Sequence, residues 1–514
     1  MMREKYESLP ATTLRELAKA RGLKGISTLK KNQLVERMLE EDKREAAQKA
    51  QAAASMQTDN QTNNKEETRE NIREDVKREM PRRDEYRRDD IKREDYRRDD
   101  FKREENKRDD VKKDDSKRED SRRTEYKRDE TSRPRIEPED SGEIANGILE
   151  VMGDGYGFIR SENFLPGEND IYVAPSQIRR FNLKTGDIVK GNIRVRSQNE
   201  KFGALLYVGS VNGLAPDVNA KRPNFEDMTP IFPNERIRLE RPNGTTAMRI
   251  MDLISPIGKG QRGMIVSPPK AGKTTLLKDV AKSVLSANPK AHLIILLIDE
   301  RPEEVTDMKE AILGENVEII YSTFDELPEH HKRVSEMVIE RAKRLVENHE
   351  DVIILLDSIT RLARAYNLTV PPSGRTLSGG LDPAALHMPK RFFGAARNMR
   401  EGGSLTVLAT ALVDTGSKMD DVVYEEFKGT GNMELVLDRK LQEKRVFPAL
   451  DIQKSGTRRE DLLLTKEEQE AVYIMRKALN GMKAEDAVEN ILNMFSRTRN
   501  NAEFVQMVKK QKFL

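Results

Sequence analysis

Continuous apolar runs, separated by stretches of helical periodicity, dominate the second half of the chain. Three of these runs are Leu293–Ile298, Asp351–Leu356 and Ser404–Ala411. Strands that are apolar at nearly every position are typical of a parallel sheet covered by helices on both faces. Ligands of such sheets bind at the carboxyl ends of the strands. The pattern therefore predicts an α/β domain whose site contains the polar residues that follow these runs, including Asp299-Glu300 and Asp357.

A further polar segment, Ser267–Thr275 (SPPKAGKTT), lies between an apolar run and a helical pattern. Strand, tight loop, Gly-Lys-Thr and helix is the layout of a nucleotide phosphate loop, in which backbone N–H groups and a lysine surround the phosphates. Lys273 is the candidate lysine, and the Thr274 hydroxyl is the candidate ligand of Mg²⁺. Ser267 replaces the first glycine of the general pattern, and two prolines stiffen the turn. A chance Gly-Lys-Thr in a surface loop is the alternative.

Residues 142 to about 212 show short β-rich runs separated by Gly, Asn and Pro, which predicts a small β-barrel. Glycines alternate with aromatic residues in GDGYGFIR, so Tyr156 and Phe158 share one face of a strand. Flanking glycines leave such rings exposed, and each stacked base then contributes about 1–3 kcal/mol. Arg160 lies on the same face, where it can bind a phosphate or a base edge, and Tyr172 adds a ring. Burial of the aromatic residues in the barrel core is the alternative.

The first 141 residues comprise a short helical pattern and a longer charged region. Residues 9–39 carry leucines at helical spacing, interrupted by two glycines, which predicts a small helical unit with a basic side. A five-residue repeat of two acids, one variable residue and two bases runs from Glu74 to Arg133. Its apolar positions spiral around a helix, so we predict a mostly disordered segment, with an isolated charged helix as the alternative. A solvated spacer is the favoured role, ahead of RNA contact or self-association.

The amino-acid composition excludes several classes of site and chemistry. Charged residues make up 35% of the chain, but 92 Lys and Arg nearly balance 89 Asp and Glu, so any nucleic-acid site must be a local patch. The chain has no Cys, which excludes disulfides, Cys-ligated zinc and thiol catalysis. The N-terminus has no apolar signal-peptide core, and no apolar run is long enough to span a bilayer. We therefore expect a soluble, cytoplasmic protein without a membrane partner.

Long motifs in residues 142–514, and more loosely the first 45 residues, resemble the bacterial transcription termination factor Rho family. The motifs are Pro268–Thr274, Leu297–Val305, Leu356–Asn367, Lys390–Arg397, Asp414–Lys418, Glu425–Glu434 and Ser455–Arg458. The resemblance implies a homohexameric, RNA-dependent ATPase and 5′-to-3′ RNA–DNA helicase. Such a ring uses ATP and Mg²⁺, binds pyrimidine-rich or C-rich single-stranded RNA, and acts on the RNA polymerase elongation complex.

The same resemblance implies a domain order. A helical unit (1–45) precedes the charged insert (46–141), which does not resemble the family's shared sequence. An OB/cold-shock-like RNA-binding barrel (142–215) and a connector (216–255) follow. The last domain (256–514) is a RecA-like α/β P-loop ATPase domain.

Roles at the ATP site follow from the matched motifs. Glu300 corresponds to the residue that polarises the attacking water, and Arg301 to a phosphate-responsive arginine. Asp357 corresponds to a ligand that holds Mg²⁺ through water. Arg458 corresponds to the arginine finger that a neighbouring subunit inserts. Further contacts to the nucleotide or the subunit interface are implied for Pro269, Lys270, Ala271, Gly272, Lys273, Thr274, Thr275, Arg445 and Phe447, the last stacking on adenine.

RNA would bind at two places. The primary site on the barrel comprises Tyr156, Phe158, Arg160, Tyr172, Glu200 and Phe202, with Phe202 at a position where tyrosine is common. The secondary site, in the channel of the ring, includes Lys418 and Arg375, which stands where a lysine is often found. Two other functions stay open: a different ring ATPase, such as a rotary ATP synthase catalytic subunit, and an RNA-binding or condensate-forming module with secondary ATPase activity.

Overall fold

The computed structural model describes residues 139–160, 163–196 and 200–510, and seven residues of the N-terminal region: Ala18, Leu29, Lys31, Asn32, Gln33, Val35 and Leu39. Six of these seven are helical, and Ala18 and Val35 are buried. The charged repeat and most of the predicted helical unit lie outside the described residues.

A closed five-stranded barrel begins at Asp140, two residues before the predicted boundary. Its strands follow the spatial order first, second, third, fifth, fourth, and alternating aliphatic side chains fill its centre. Strands cross closely at Gly191, where a Cβ atom would lie only 2.1 Å from the Tyr207 carbonyl oxygen. The elements are β1 (Asp140–Val151), β2 (Gly157–Arg160), β3 (Ile171–Val173), α1 (Pro175–Arg180), β4 (Ile188–Arg194) and β5 (Gly203–Val211).

A connector of short elements leads from the barrel to the second domain. Its buried helix contributes an apolar face to the core of that domain. The connector comprises α2 (Pro216–Asn219), a 3₁₀ turn (Phe225–Asp227), β6 (Pro230–Ile231), β7 (Arg236–Ile237), α3 (Thr246–Ile254) and β8 (Ile257–Gly258).

A nine-stranded sheet forms the second domain. In chain order its elements are β9 (Arg262–Ser267), α4 (Lys273–Ala287), β10 (His292–Glu300), α5 (Pro302–Ala311), β11 (Val317–Thr323), α6 (Pro328–Glu347), β12 (Asp351–Asp357), α7 (Ile359–Thr369), α8 (His387–Gly394), β13 (Arg397–Met399), β14 (Ser404–Leu412), α9 (Lys418–Lys428), β15 (Met433–Leu437), α10 (Arg439–Glu443) and β16 (Leu450–Thr457). Three helices end the described chain: α11 (Lys466–Leu479), α12 (Ala484–Ser496) and α13 (Asn501–Lys510).

The main strand order is β11-β10-β12-β14-β9-β15-β16, with β13 and β6 attached beside β14. All neighbours from β11 to β15 in this order are parallel, and β16 pairs antiparallel with β15. Two hydrophobic clusters cover the two faces, so the apolar strands are buried on both sides as predicted. The fold class is therefore confirmed. The parallel arrangement brings the carboxyl ends of β9, β10 and β12 to one edge.

The barrel docks on α6 and β11. Asn163 exchanges two hydrogen bonds with the Tyr321 backbone. Gly186, with a φ of +94°, approaches α6 so closely that a Cβ atom would lie 2.4 Å from the Glu340 carbonyl carbon. Arg222 in the connector pairs with Glu347 at the end of α6. In the described part of the chain, every helix is too short or too polar to cross a bilayer.

Candidate nucleotide and RNA sites

The phosphate loop joins the carboxyl end of β9 to the first residue of α4. Gly272 caps the helix with a φ of +89°, a left-handed conformation that suits glycine, and Lys270 has a φ of +65°. Pro269, Lys270 and Thr275 are exposed, whereas Ala271 is buried. The loop therefore presents backbone N–H groups and a helix N-terminus at the edge of the sheet, the arrangement that binds phosphates.

Two acids from neighbouring strands meet the lysine of this loop. Lys273 Nζ lies 2.5 Å from Asp357 Oδ1 and 3.9 Å from Glu300 Oε1. The Thr410 hydroxyl on β14 also donates to Asp357, over 2.8 Å. The structure thus brings together Glu300 and Asp357, at the ends of β10 and β12, and Lys273, in the loop that follows β9.

Glu300 is a buried carboxyl group with an unusual acidity. Only 4% of the residue is exposed, and burial is the main cause that raises its pKa from 4.5 to about 7. The nearby Asp357 carboxylate raises this pKa further, while Lys273 and Arg361 oppose the shift. Arg361 Nη1 lies 3.0 Å from Glu300 Oε2, although that oxygen accepts no aligned hydrogen bond. A carboxyl group with a pKa near neutrality is suited to proton transfer at physiological pH.

Oxygen ligands for a divalent cation lie beside the phosphate loop. The Thr274 hydroxyl donates to Glu304 Oε2 over 3.3 Å, and Asp357 offers a buried carboxylate. A hydroxyl and one or two carboxylates are what Mg²⁺ uses when the nucleotide phosphates and water complete its coordination. Within the described residues, no group of three or more His, Cys, Asp or Glu side chains is arranged to hold a metal by itself. The donor set therefore fits Mg²⁺ bound together with phosphates.

Phe447, Arg445 and Arg301 are all exposed at the phosphate-loop edge of the sheet. Phe447 and Arg445 lie in the segment after α10. This helix follows the carboxyl end of β15, the strand that pairs in parallel with β9. Arg301 precedes α5 and lies 3.9 Å from Glu304. The position of Phe447, half of which is exposed, is compatible with a ring that stacks on a nucleobase.

Arg458 lies at the opposite edge of the sheet. Its backbone N–H donates to the carbonyl of Asn432, just before β15, next to the Met433–Gly263 pairing at the start of β9. About 13 Å of strand separates Gly263 from Ser267, where the phosphate loop begins. The guanidinium is exposed and pairs with no carboxylate in the described part of the chain.

Four aromatic rings form a continuous surface on the barrel. Phe158 is central: its ring centroid lies 5.8 Å from that of Tyr156, 6.1 Å from that of Tyr172 and 5.1 Å from that of Phe202. All four residues are partly exposed, so they do not belong to the barrel core. Glu200, at the rim of this surface, pairs with Arg194. Partly exposed rings on a strand suit stacking with unpaired bases.

Arg160 is placed differently from the exposed position that the sequence suggested. It is only 5% exposed, lies 4.9 Å from the centroid of the Phe158 ring, and pairs with both Glu150 and Asp170. One oxygen of Asp170, Oδ1, is buried without a hydrogen-bond partner. The arginine therefore lies underneath the aromatic surface and supports it.

The two predicted channel loops contact each other. Arg375 and Lys418 are exposed, and Gly379 packs so closely that a Cβ atom there would lie 2.4 Å from the Met419 backbone nitrogen. Sequence reasoning assigned no role to α7, which fixes both loops. Its Asn367 donates to the Gly380 carbonyl over 3.2 Å, and its Arg364 holds Asp420 through two hydrogen bonds.

Sequence reasoning also missed Arg361, Glu304 and Thr410. The signal available for Arg361 was its position four residues after a strand-terminal acid, on the first turn of a helix. Glu304 and Thr410 carried no comparable signal, because their proximity to the phosphate loop depends on how the strands are ordered in the sheet.

The fold and these sites define a P-loop ATP hydrolase that also carries a nucleic-acid-binding barrel. Residues 145–217 match the Rho termination factor, RNA-binding domain, and residues 247–457 match the nucleotide-binding domain of the ATP synthase alpha/beta family. The chain is 57% identical over 371 residues to transcription termination factor Rho of Pseudomonas aeruginosa, a span of 71% of this chain and 88% of that protein. It is 56% identical over 377 residues to the Escherichia coli (strain K12) factor, covering 72% of this chain and 89% of that protein. The chain belongs to the transcription termination factor Rho family.

A solved structure of a prototypical ATPase from a bacterial type III secretion system is also similar. It is 20% identical, covers 55% of this chain and 88% of its own, and has a TM-score of 0.46. The family match confirms the resemblance that the motifs indicated and the expectation of an RNA-binding, ATP-hydrolysing termination factor.

Proposed function

We propose that this chain is the subunit of a homohexameric, RNA-dependent ATPase and 5′-to-3′ RNA–DNA helicase, which binds nascent C-rich RNA and dissociates the RNA polymerase elongation complex in the cytoplasm. The observation that best supports this function is that a single chain combines the four-ring surface of a Rho-type RNA-binding domain with a phosphate loop beside the buried Glu300.

Hydrolysis would use the residues at the edge of the sheet in distinct roles. The loop N–H groups, Lys270 and Lys273 bind the phosphates, and Glu300 in its ionised form orients the attacking water and accepts its proton. Thr274, and Asp357 through water, would hold Mg²⁺, which supplies charge neutralisation on the phosphates. Because the pKa of Glu300 is near 7, a modest change in its surroundings alters the fraction that is ionised at neutral pH.

The location of Arg458 supports catalysis between subunits. In its own subunit the backbone of this arginine lies at the edge of the sheet remote from the phosphate loop. An exposed guanidinium without a carboxylate partner is suited to stabilise charge on the phosphates of a neighbour. Arg445 and Arg301, which are also exposed, would contribute to the same interface.

RNA dependence has a physical basis in α7. Arg361 on this helix contacts Glu300, while Arg364 and Asn367 hold the two loops that carry Arg375 and Lys418. RNA that displaces these loops would shift the helix and change the field at Glu300. The primary site on the barrel would retain the transcript during this cycle.

The test is ATP hydrolysis by the purified full chain with poly(C), poly(U), poly(A) or no RNA. We expect strong stimulation by poly(C), and its loss in both Lys273→Ala and Arg458→Ala. Tyr156→Ala should lose poly(C) binding, whereas Lys273→Ala should keep it. Equal hydrolysis with and without RNA would contradict the proposal.

A further inference from the structure

An ion pair connects the RNA-binding surface of the barrel to a helix of the ATPase domain. Arg333, in the second turn of α6, places Nη2 2.7 Å from both carboxylate oxygens of Glu150 on β1. The same carboxylate accepts a hydrogen bond from Arg160 Nε over 2.8 Å. Glu150 is therefore shared by one arginine from each domain.

Glu150 lies on the aromatic surface of the barrel. It is the direct cross-strand partner of Phe158 in the antiparallel pairing of β1 with β2, so both side chains project from the same face. Arg160, two residues further along β2, packs its guanidinium against the Phe158 ring. An acid at this position repels RNA phosphates unless basic groups neutralise it.

We propose that Arg333 is a positioning residue for RNA binding: it acts through Glu150 to hold Arg160 beneath Phe158 and to neutralise the acid of the RNA-binding surface. This inference rests on the proposed RNA binding at the barrel. It makes the affinity of the barrel for RNA dependent on a side chain of the ATPase domain that is not expected to touch RNA.

Several other contacts also dock the barrel on the ATPase domain. Gly186, Arg341 and Glu347 join the barrel and connector to the later turns of α6. Fourteen residues, or about 21 Å of helix, separate Arg333 from Glu347. Arg333 Nε is buried and has no hydrogen-bond partner, so Glu150 is the group that orients this guanidinium among the described residues.

Removal of the Arg333 charge should weaken RNA binding. With Arg160 as its one remaining arginine partner among the described residues, Glu150 is expected to draw that guanidinium away from Asp170 and the Phe158 ring, and its charge then faces the RNA. We expect Arg333→Gln to weaken binding of a fluorescent oligo(C) by about threefold to tenfold, the scale of coupling between groups of one charge network.

The experiment measures oligo(C) binding by anisotropy with the full chain and variants at two adjacent positions. Lys332→Gln removes the same charge from the neighbouring residue, which lies over Tyr366 and not near Glu150, so we expect it to bind as the parent does. Arg333→Lys should restore most of the affinity, because one nitrogen makes both contacts. In a Glu150→Gln background, Arg333→Gln should have no further effect.

Two readouts separate this role from others. In the Glu150→Gln background, loss of a direct phosphate contact would reduce the slope of log affinity against log salt by about one, whereas loss of a positioning residue leaves that slope unchanged. In RNA-stimulated hydrolysis, the half-saturating RNA concentration should rise in Arg333→Gln, with the rate at saturating RNA retained. Equal effects of Lys332→Gln and Arg333→Gln, or an undiminished effect in the Glu150→Gln background, would overturn the inference. Failure of the parent to bind oligo(C) would overturn both this inference and the proposed function.

Discussion

Replacing the buried acid Glu300 by glutamine should stabilise the protein in a pH-dependent way. Burial favours the neutral carboxyl group, and the difference between 4.5 and about 7 corresponds to about 3 kcal/mol at about 1.4 kcal/mol per pH unit. Because the pKa is raised in the folded state, this contribution is fully present below pH 4.5 and is lost as pH rises through 7. Between pH 5.5 and 8.5 the parent should lose about 2 kcal/mol from this group. The amide in Glu300→Gln resembles the neutral acid, so the variant does not lose this stability as pH rises.

Calorimetric melting of parent and variant at pH 5.5 and 8.5 tests this reasoning. The Tm difference in favour of Glu300→Gln should grow by about 4–8 °C towards pH 8.5, given about 2–4 °C per kcal/mol for a domain of this size. Protein concentration must be equal throughout, because assembly shifts Tm. Glu303→Gln, at an exposed acid three residues away, controls for the loss of one negative charge. A Tm difference between parent and Glu300→Gln that does not change with pH would refute the assignment of a buried, raised-pKa acid.

Three further expectations follow from the geometry. Arg361→Gln should move the acid limb of the pH–rate profile upward, since the lost cation favours the ionised form of Glu300. An unmoved limb would contradict the contact. Arg458→Ala should lower RNA-stimulated hydrolysis by about a thousandfold. Mixing it with Lys273→Ala subunits should restore part of the rate if each site combines residues from two subunits. No recovery would argue against a shared site. Gly186→Ala should lower Tm, because its Cβ would meet the α6 backbone at 2.4 Å. The loss should be larger than in Gly213→Ala, where φ is also positive but nothing lies within 4 Å of the added Cβ. Equal losses would mean that backbone strain alone is responsible.

The sheet was predictable because its information is local. Runs such as Leu293–Ile298 are apolar at every position, which requires burial on both faces, and the residues that end them then fall at a common edge. Glu300 and Asp357 could be assigned to the site on this basis alone. The alternation of glycine and aromatic residues predicted in the same way that Tyr156 and Phe158 share an exposed face, and their partial exposure confirms it.

The partners of the charged side chains were not predictable, because they depend on how elements meet across the chain. Periodicity places Arg160 on the same face as Phe158, but its burial results from Glu150 on another strand and Asp170 in a loop. Likewise, Lys332 and Arg333 are adjacent basic residues on one helix. A rotation of about 100° per residue directs one towards Tyr366 and the other towards the barrel.

The nucleotide site and the RNA-binding surface have one feature in common. In each, a carboxylate of the site contacts an arginine on a helix outside the site's own ligand-binding loops. Arg361 on α7 contacts Glu300 and favours its ionised form, against the larger effect of burial. Arg333 on α6 contacts Glu150. A carboxylate in such a pair responds to small displacements of the helix, because the interaction of close charges in a partly buried site depends steeply on their separation. The helices α6 and α7 also pack against each other, with the Tyr366 hydroxyl donating to Glu336 over 3.0 Å. Arg333 and Arg361 therefore lie on adjacent, packed helices, and variants at these two residues test the RNA-binding surface and Glu300 separately.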